Sequence, residues 1–177
     1  MKAFPQKLPY EQFLKTFELA PRVAVNLLIE REVCETSRRE NGKFTKLPIK
    51  EVLLTRRKKP PFAGSWHLPG SFVLKGESLM DCVKRVAKEE LGIKVENVRL
   101  ARVFDDIKGD PRGHVVDLVY RCYIKLNQKR PGLAGQGQAF PELPKSVGDT
   151  AEIKFFKKLP ENIGFNHKDT LKKLGYV

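Results

Sequence analysis

Cysteine is scarce in this chain, and the residues present, Cys34, Cys82 and Cys122, are odd in number and match neither a zinc-ligand spacing nor a disulfide framework. A reducing compartment, the cytoplasm, is the expected home. Long uncharged apolar runs are also missing. No stretch approaches the roughly 18 apolar residues a membrane span needs, and the opening MKAFPQKLPYEQF has no apolar core of a secretory leader. No membrane partner is expected. Acidic residues are in deficit, 21 Asp+Glu against 34 Lys+Arg, for a net charge of +13. That balance favours polyanionic partners such as nucleotides, nucleic acid or acidic surfaces, without choosing among them. No internal repeat is visible. What is present, 177 residues of which 41% are hydrophobic, suffices for one compact domain over residues 1–177.

Pro9 to Leu19 places Tyr10, Phe13, Leu14 and Phe17 at helical spacing, which predicts a structural helix at the domain edge within an N-terminal extension, residues 1–20. Val23 to Ile29 and Glu51 to Arg56 read as strands, joined by a polar stretch, Glu30 to Lys50, with a hairpin turn at Asn41-Gly42. Asn97 to Phe104 is extended. His114 to Leu126 is the clearest strand, with Val116, Leu118, Tyr120, Cys122, Ile124 and Leu126 on its core face and Asp117, Arg121 and Lys125 on the other. Residues 127–148 form a long Pro/Gly-rich loop of a kind that is either functional or disordered. Ala151 to Lys157 reads as a last strand and Asn166 to Leu174 as a closing helix stopped by Gly175. Strands on both sides of one strong helix predict a layered α/β fold rather than an alternating βαβ array.

That strong helix carries the chemistry. Ser78 suits an N-cap, Asp81 three residues on approximates a capping box, and Gly92 stops the helix. Leu79, Cys82, Val83, Val86 and Ala87 make an apolar stripe; Glu90 projects into it and Glu89 borders it. Carboxylates drawn toward a core need a cation or donors, because desolvating them costs several kcal/mol. Arg85 lies at i,i+4 from Glu89, and Glu77 adds a carboxylate just before the helix. Hard oxygen ligands so clustered suit Mg2+ or Mn2+, which bridge diphosphate oxygens. An Arg-Glu surface network on an ordinary helix accounts for the spacing equally well.

The run Gly70-Ser71-Phe72-Val73-Leu74-Lys75-Gly76-Glu77, then Arg85, then Glu89-Glu90-Leu91-Gly92-Ile93, resembles the Nudix box, and Trp66-His67-Leu68-Pro69-Gly70 resembles its usual lead-in. The likeness spans roughly Arg22 to Glu152. It implies an α/β/α sandwich with a mixed sheet and Mg2+- or Mn2+-assisted hydrolysis of a nucleoside diphosphate linked to another group, of the ADP-ribose or nucleotide-sugar class. It gives Glu89 and Glu90 as metal ligands, Glu77 as an outer ligand, and Arg85 as the group orienting a carboxylate, so that Glu89, Glu90 and Arg85 form the catalytic set. Two positions depart: Ser71 replaces the box's opening glycine, and Val86 replaces a glutamate that in many members binds metal and sometimes acts as base. An apolar residue there resembles the GDP-mannose mannosyl hydrolase branch, which attacks the sugar carbon. Asp110 to His114, Gly148 to Glu152 and Gly164 to His167 are instead similar to features of ADP-ribose pyrophosphatase-type members and their regulatory relatives. From these stretches and the basic run Arg56 to Lys59 come the expected substrate-binding residues Arg56, Arg112, His114, Asp149 and Glu152, with the base open among Glu89, Asp149, Glu152 and His114. His67 reads as structural and His167 as part of the last helix, while Phe62, Trp66 and Tyr10 are aromatics that either stack on a base or pack the core. Two other classes stay open: a silent nucleotide binder, for which Val86 argues, and an RNA-binding or RNA-end-processing member, not favoured because only the net charge speaks for it. A homodimer also stays open.

Overall fold

A computed structural model of the chain describes residues 6–38, 44–124 and 143–177, without the side chains of 35–38 and 44–47. The elements run α1 (Tyr10–Leu19), β1 (Arg22–Arg38), β2 (Phe44–Arg57), β3 (Trp66–His67), β4 (Gly70–Phe72), α2 (Leu79–Leu91), β5 (Val95–Asp106), β6 (Val115–Ile124), β7 (Thr150–Phe156) and α3 (His167–Lys173). The strands form one seven-stranded sheet along the path β3-β2-β1-β6-β5, with β4 on β1 and β7 on β2. It is mixed, because β1 runs parallel to β6 and antiparallel to its other neighbours. β1 changes partners midway. Arg22 to Ile29 lie against β6, with β4 alongside Ala24 to Asn26, whereas Glu30 to Arg38 pair with β2. The sheet thereby divides into two wings, and the site lies where they part.

Both faces are covered. Cys82, Val83, Val86, Ala87 and Leu91 of α2 pack on Val25, Leu27, Ile29, Leu53, Tyr120 and Cys122. The opposite side chains, Leu28, Val52, Leu54 and Val119, meet Leu68, Leu171 and Tyr176. Each fully buried Leu or Val contributes about 1.5–3 kcal/mol, and side chains of period two feeding two cores make β1, β2 and β6 the interior of an α/β/α sandwich.

This double coverage alters several expectations. The polar stretch from Glu30 to Lys50 is not a connection: β1 continues to Arg38 and β2 begins at Phe44, since antiparallel pairing satisfies the backbone whatever the side chains. The Asn41-Gly42 turn lies outside the described residues. So does the 127–148 loop up to residue 142. On β6, Asp117 and Val119, on the side read as solvent-facing, are 5% and 0% exposed, because α3 and its flanks cover that face. Leu79 is exposed rather than part of the stripe. α1 buries no residue fully, yet Phe13 and Phe17 rest on Phe72 at 5.3 and 5.5 Å between ring centres, which sets this helix over a cavity rather than at a bare edge.

Candidate active site

Helix α2 begins where the sequence predicts. The Asp81 amide donates to Ser78 Oγ at 3.1 Å, and Gly92, φ 66°, ends it in the left-handed conformation. Behind its first turns Arg85 is locked: Nε and Nη2 donate to Glu77 Oε1 and Oε2 at 2.7 and 2.9 Å, Nη2 also to the Phe72 carbonyl, and Nη1 to Ser71 Oγ. The Glu77 carboxylate also accepts the Leu74 amide, and its side chain is 3% exposed. Burial alone would raise this carboxyl, but the Arg85 and Leu74 hydrogen bonds bring it below its ordinary value. The resemblance gives Glu77 as an outer metal ligand; the structure instead spends both its oxygens on Arg85 and Leu74. The pair rivets the loop before α2 to the helix and, through a longer Arg85 Nη1 contact at 3.5 Å, steers Glu89.

At the last turn of α2 the carboxylates diverge. Glu89 is exposed and paired with Lys7 at 2.8 Å. Glu90 is half-buried and accepts the Thr150 hydroxyl at 2.7 Å. Burial raises the Glu90 carboxyl, against Thr150 and the Arg57 charge, which lower it, while Asp149 and Glu89 push it further up. Thr150 and Asp149 reach this point because Gly148, φ 51°, lies against the Glu89 carbonyl, where an added Cβ would stand 3.2 Å away.

Glu89, Glu90 and Asp149 form one rim of a cavity of about 620 Å3, with Arg57 and Arg112 on its walls and α1 over its mouth. Arg57 is a residue that sequence reasoning missed by one position. The register of β2 against β7 shifts between Arg56 and Arg57, and Arg57 turns into the cavity, over the Phe165 ring at 5.2 Å, while Arg56 turns out toward the Gly64 carbonyl and Glu152. Burial lowers the Arg57 guanidinium, and Arg112 nearby adds to this. Arg112 is held bidentate by Asp110 at 2.9 and 2.6 Å. Arg56, Glu152 and His114 do not line the cavity: Arg56 and Glu152 pair with each other across β2 and β7, and His114 pairs with Asp105. Of the aromatics, Trp66 packs on Phe156 and Phe62 on Phe165, but Tyr10 is 62% exposed at the cavity mouth.

The cavity floor holds polar residues that pattern reasoning assigned elsewhere. The buried Asn26 donates to Asp117 Oδ1 at 2.8 Å, and Gly70 makes room for it, since a Cβ there would fall 2.0 Å from Asn26 Oδ1. Burial pushes Asp117 up to about 6, against the Asn26 hydrogen bond, with Asp106 and Asp110 adding to the rise. His67 and His167 are buried beside them. His67 Nδ1 donates to the Leu68 carbonyl, whereas His167 Nδ1 accepts the Leu68 amide at 3.0 Å, so the two neutral rings carry their protons on opposite nitrogens. Burial holds His67 well below its usual value and His167 down to about 4, with Arg57 acting in the same direction on both and His167 also lowering His67. A histidine near 6.5 unfolded and 4 folded stabilises the protein fully above pH 6.5 and loses that contribution as pH falls toward 4. His167→Asn, which keeps an acceptor for Leu68, is therefore expected to remove on the order of 3 kcal/mol from the acid-side fall in stability, read by urea unfolding between pH 7 and 4. An unchanged pH slope would show that His167 is not buried neutral.

The NUDIX domain family profile matches residues 39–143. The chain belongs to the Nudix family. Its class of reaction is hydrolysis of diphosphate-containing nucleotides. This Nudix protein is 29% identical over 175 residues to an ADP-ribose pyrophosphatase of Methanocaldococcus jannaschii, covering 97% of this chain and 84% of that one. Its fold is similar to that of the NUDIX domain of Shewanella oneidensis NrtR complexed with ADP ribose, with a TM-score of 0.61 at 17% identity over 94% of this chain and 97% of that one. It is similar also to a bifunctional NMN adenylyltransferase/ADP ribose pyrophosphatase of Francisella tularensis complexed with AMP and a Mn ion, with a TM-score of 0.59 at 18% identity over 93% of this chain and 46% of that one. Among the described residues no helix is long and apolar enough to cross a membrane.

A divalent ion fits part of this Nudix site. No group of three or more His, Cys, Asp or Glu converges on one point among the described residues. Mg2+, however, keeps several waters and takes one or two carboxylates together with substrate phosphates. Glu90, half-buried and raised by that burial although the Thr150 hydrogen bond and the Arg57 charge lower it, and the adjacent Glu89 are the two carboxylates such an ion would meet.

Proposed function

We propose that this Nudix protein hydrolyses a nucleoside diphosphate carrying a further group, of the ADP-ribose or nucleotide-sugar class, with Glu89 and Glu90 holding Mg2+ or Mn2+ against the diphosphate. The observation that carries this reading is the half-buried Glu90 carboxylate facing the Arg57 guanidinium within one cavity. The names of the Methanocaldococcus relative and the Francisella structure support it. When bound, the ion would neutralise diphosphate charge and acidify the attacking water.

The chain's own residues do the rest. Arg85 and Glu77 stiffen the loop and helix, so that Glu89 and Glu90 meet the substrate without reorganisation. Arg57, held from below by the Pro61 carbonyl at 2.8 Å, presents positive charge to the phosphates. The base narrows from the four residues considered to Glu89 and Asp149, the two that line the cavity. Water oxygen attacks phosphorus, its proton passes to that carboxylate, and the bridging P–O bond breaks to give a nucleoside monophosphate and a phosphorylated second group.

Incubation with ADP-ribose, a nucleotide sugar, a dinucleoside polyphosphate and a nucleoside triphosphate, with Mg2+ or Mn2+, tests this. Two monophosphate products mean attack at phosphorus, whereas free sugar means attack at carbon. Arg57→Ala should raise KM about tenfold, and Arg56→Ala should change it less than about twofold. Equal effects would remove Arg57 from the phosphate site. Among the described residues no third carboxylate converges with Glu89 and Glu90, which favours one second reading, a nucleotide binder of slow turnover, which tight ADP-ribose binding without product release would establish.

A further inference from the structure

The cavity floor has polar atoms that the hydrolytic step does not use. Asn26, Asp117 and His167 are 4%, 5% and 5% exposed, yet all line the cavity. Each commits only part of its hydrogen-bonding capacity inside the protein. Asn26 gives its amide to Asp117 Oδ1 and keeps Oδ1; Asp117 keeps Oδ2. His167 accepts the Leu68 amide on Nδ1, so its Nε2–H is a donor left over. Among the described residues none of these three atoms has a hydrogen-bond partner, although Asn26 Oδ1 packs against the Gly70 backbone. Buried polar atoms are nearly always satisfied, and the space from which these can be satisfied is the cavity.

Their chemistry is selective. A terminal phosphate is disfavoured against Asp117 itself: this buried carboxylate has Asp106 and Asp110 beside it and, among the described residues, no arginine bonded to it. A nucleobase wants a ring face to stack on, and the ring at this end is taken. Phe165 has the Arg57 and Arg112 guanidinium groups over it at 5.2 and 5.6 Å, with Phe62 against its edge. Tyr10, at the mouth, stacks on Phe13 at 6.3 Å between ring centres and is 62% exposed, which leaves ring surface open to a base. A base at the mouth and a diphosphate between Arg57 and Glu90 leave the floor to whatever is attached beyond. Vicinal hydroxyls suit it, since two of them can donate to Asn26 Oδ1 and Asp117 Oδ2 while one accepts from His167 Nε2–H.

We propose that Asn26, Asp117 and His167 form a subsite for the hydroxyl groups of a sugar on the far side of the diphosphate, and so select a nucleoside diphosphate sugar over a plain nucleoside di- or triphosphate. This rests on the function proposed above. Wild type, Asp117→Asn and His167→Asn are compared for the KM of ADP-ribose with Mn2+ (Kd by calorimetry if turnover is slow) and for the inhibition constant of ADP, which lacks the second sugar. Both substitutions are close in shape, and His167→Asn keeps the Leu68 acceptor; circular dichroism and melting verify the fold. The subsite predicts a rise of about tenfold or more for ADP-ribose with the ADP constant unchanged. Constants that rise together would place the base or first ribose on the floor and overturn the proposal, as would no change in either. In both cases turnover of ADP-ribose by the wild type leaves the hydrolase reading standing. If the wild type neither binds nor cleaves ADP-ribose, subsite and function fall together.

Discussion

Glu90→Gln is expected to lower kcat on a diphosphate substrate by about a hundredfold or more while leaving the melting temperature unchanged or slightly higher. Glutamine has the same shape and keeps an acceptor for the Thr150 hydroxyl, so the contact at 2.7 Å survives. What is lost is charge. In the folded protein that charge is held in a half-buried position where desolvation raises the carboxyl, with Asp149 and Glu89 pushing the same way. Removing it relieves the fold and deprives the site, an opposition that a purely structural glutamate would not show. Steady-state kinetics with Mn2+ and a thermal melt on one preparation check both halves. Near-normal turnover would take Glu90 out of the metal-binding pair and the proposed mechanism with it.

Val86→Glu is expected to destabilise rather than to restore a missing ligand. The Nudix box has glutamate at this position, and on that pattern alone the substitution should strengthen metal binding. The structure places Val86 at 0% exposure, in the core cluster with Val25, Leu27 and Cys122. A carboxylate built there is desolvated and unpaired, which costs about 4 kcal/mol and lowers the melting temperature by on the order of 10 °C. Melting curves with and without Mn2+ discriminate the two views. If Mn2+ restores the melting temperature and turnover rises, residue 86 faces the cation and its core placement is wrong.

The legible parts of the molecule are those whose signals are local. Ser78, Asp81 and Gly92 bound α2 as anticipated, because capping is settled within one turn of chain. The inward lean of Glu90 follows from 3.6-residue periodicity, and the family follows from a pattern confined to residues 70–93. Less legible were residues whose surroundings come from far along the chain. Alternation on β6 correctly buries Tyr120 and Cys122 but turns Asp117 to solvent, because no local signal says that a second layer closes over that face. Arg57 and Arg56 are indistinguishable as a basic pair; pairing with β3 and β7 decides which one faces Glu90. Thr150 stands sixty residues from Glu90 and meets it through the turn at Gly148.

The sequence by itself therefore determined the family, the mixed α/β layering and the acidic end of one helix, since each is written in short-range spacing. Tertiary structure alone decided that Glu77 is bound to Arg85, that His114 and Glu152 stand away from the cavity, and that Asn26, Asp117 and His167 share its floor. Hydrogen bonding and desolvation depend on which surfaces meet when β1 exchanges one partner strand for another, and no window of neighbouring residues contains that information.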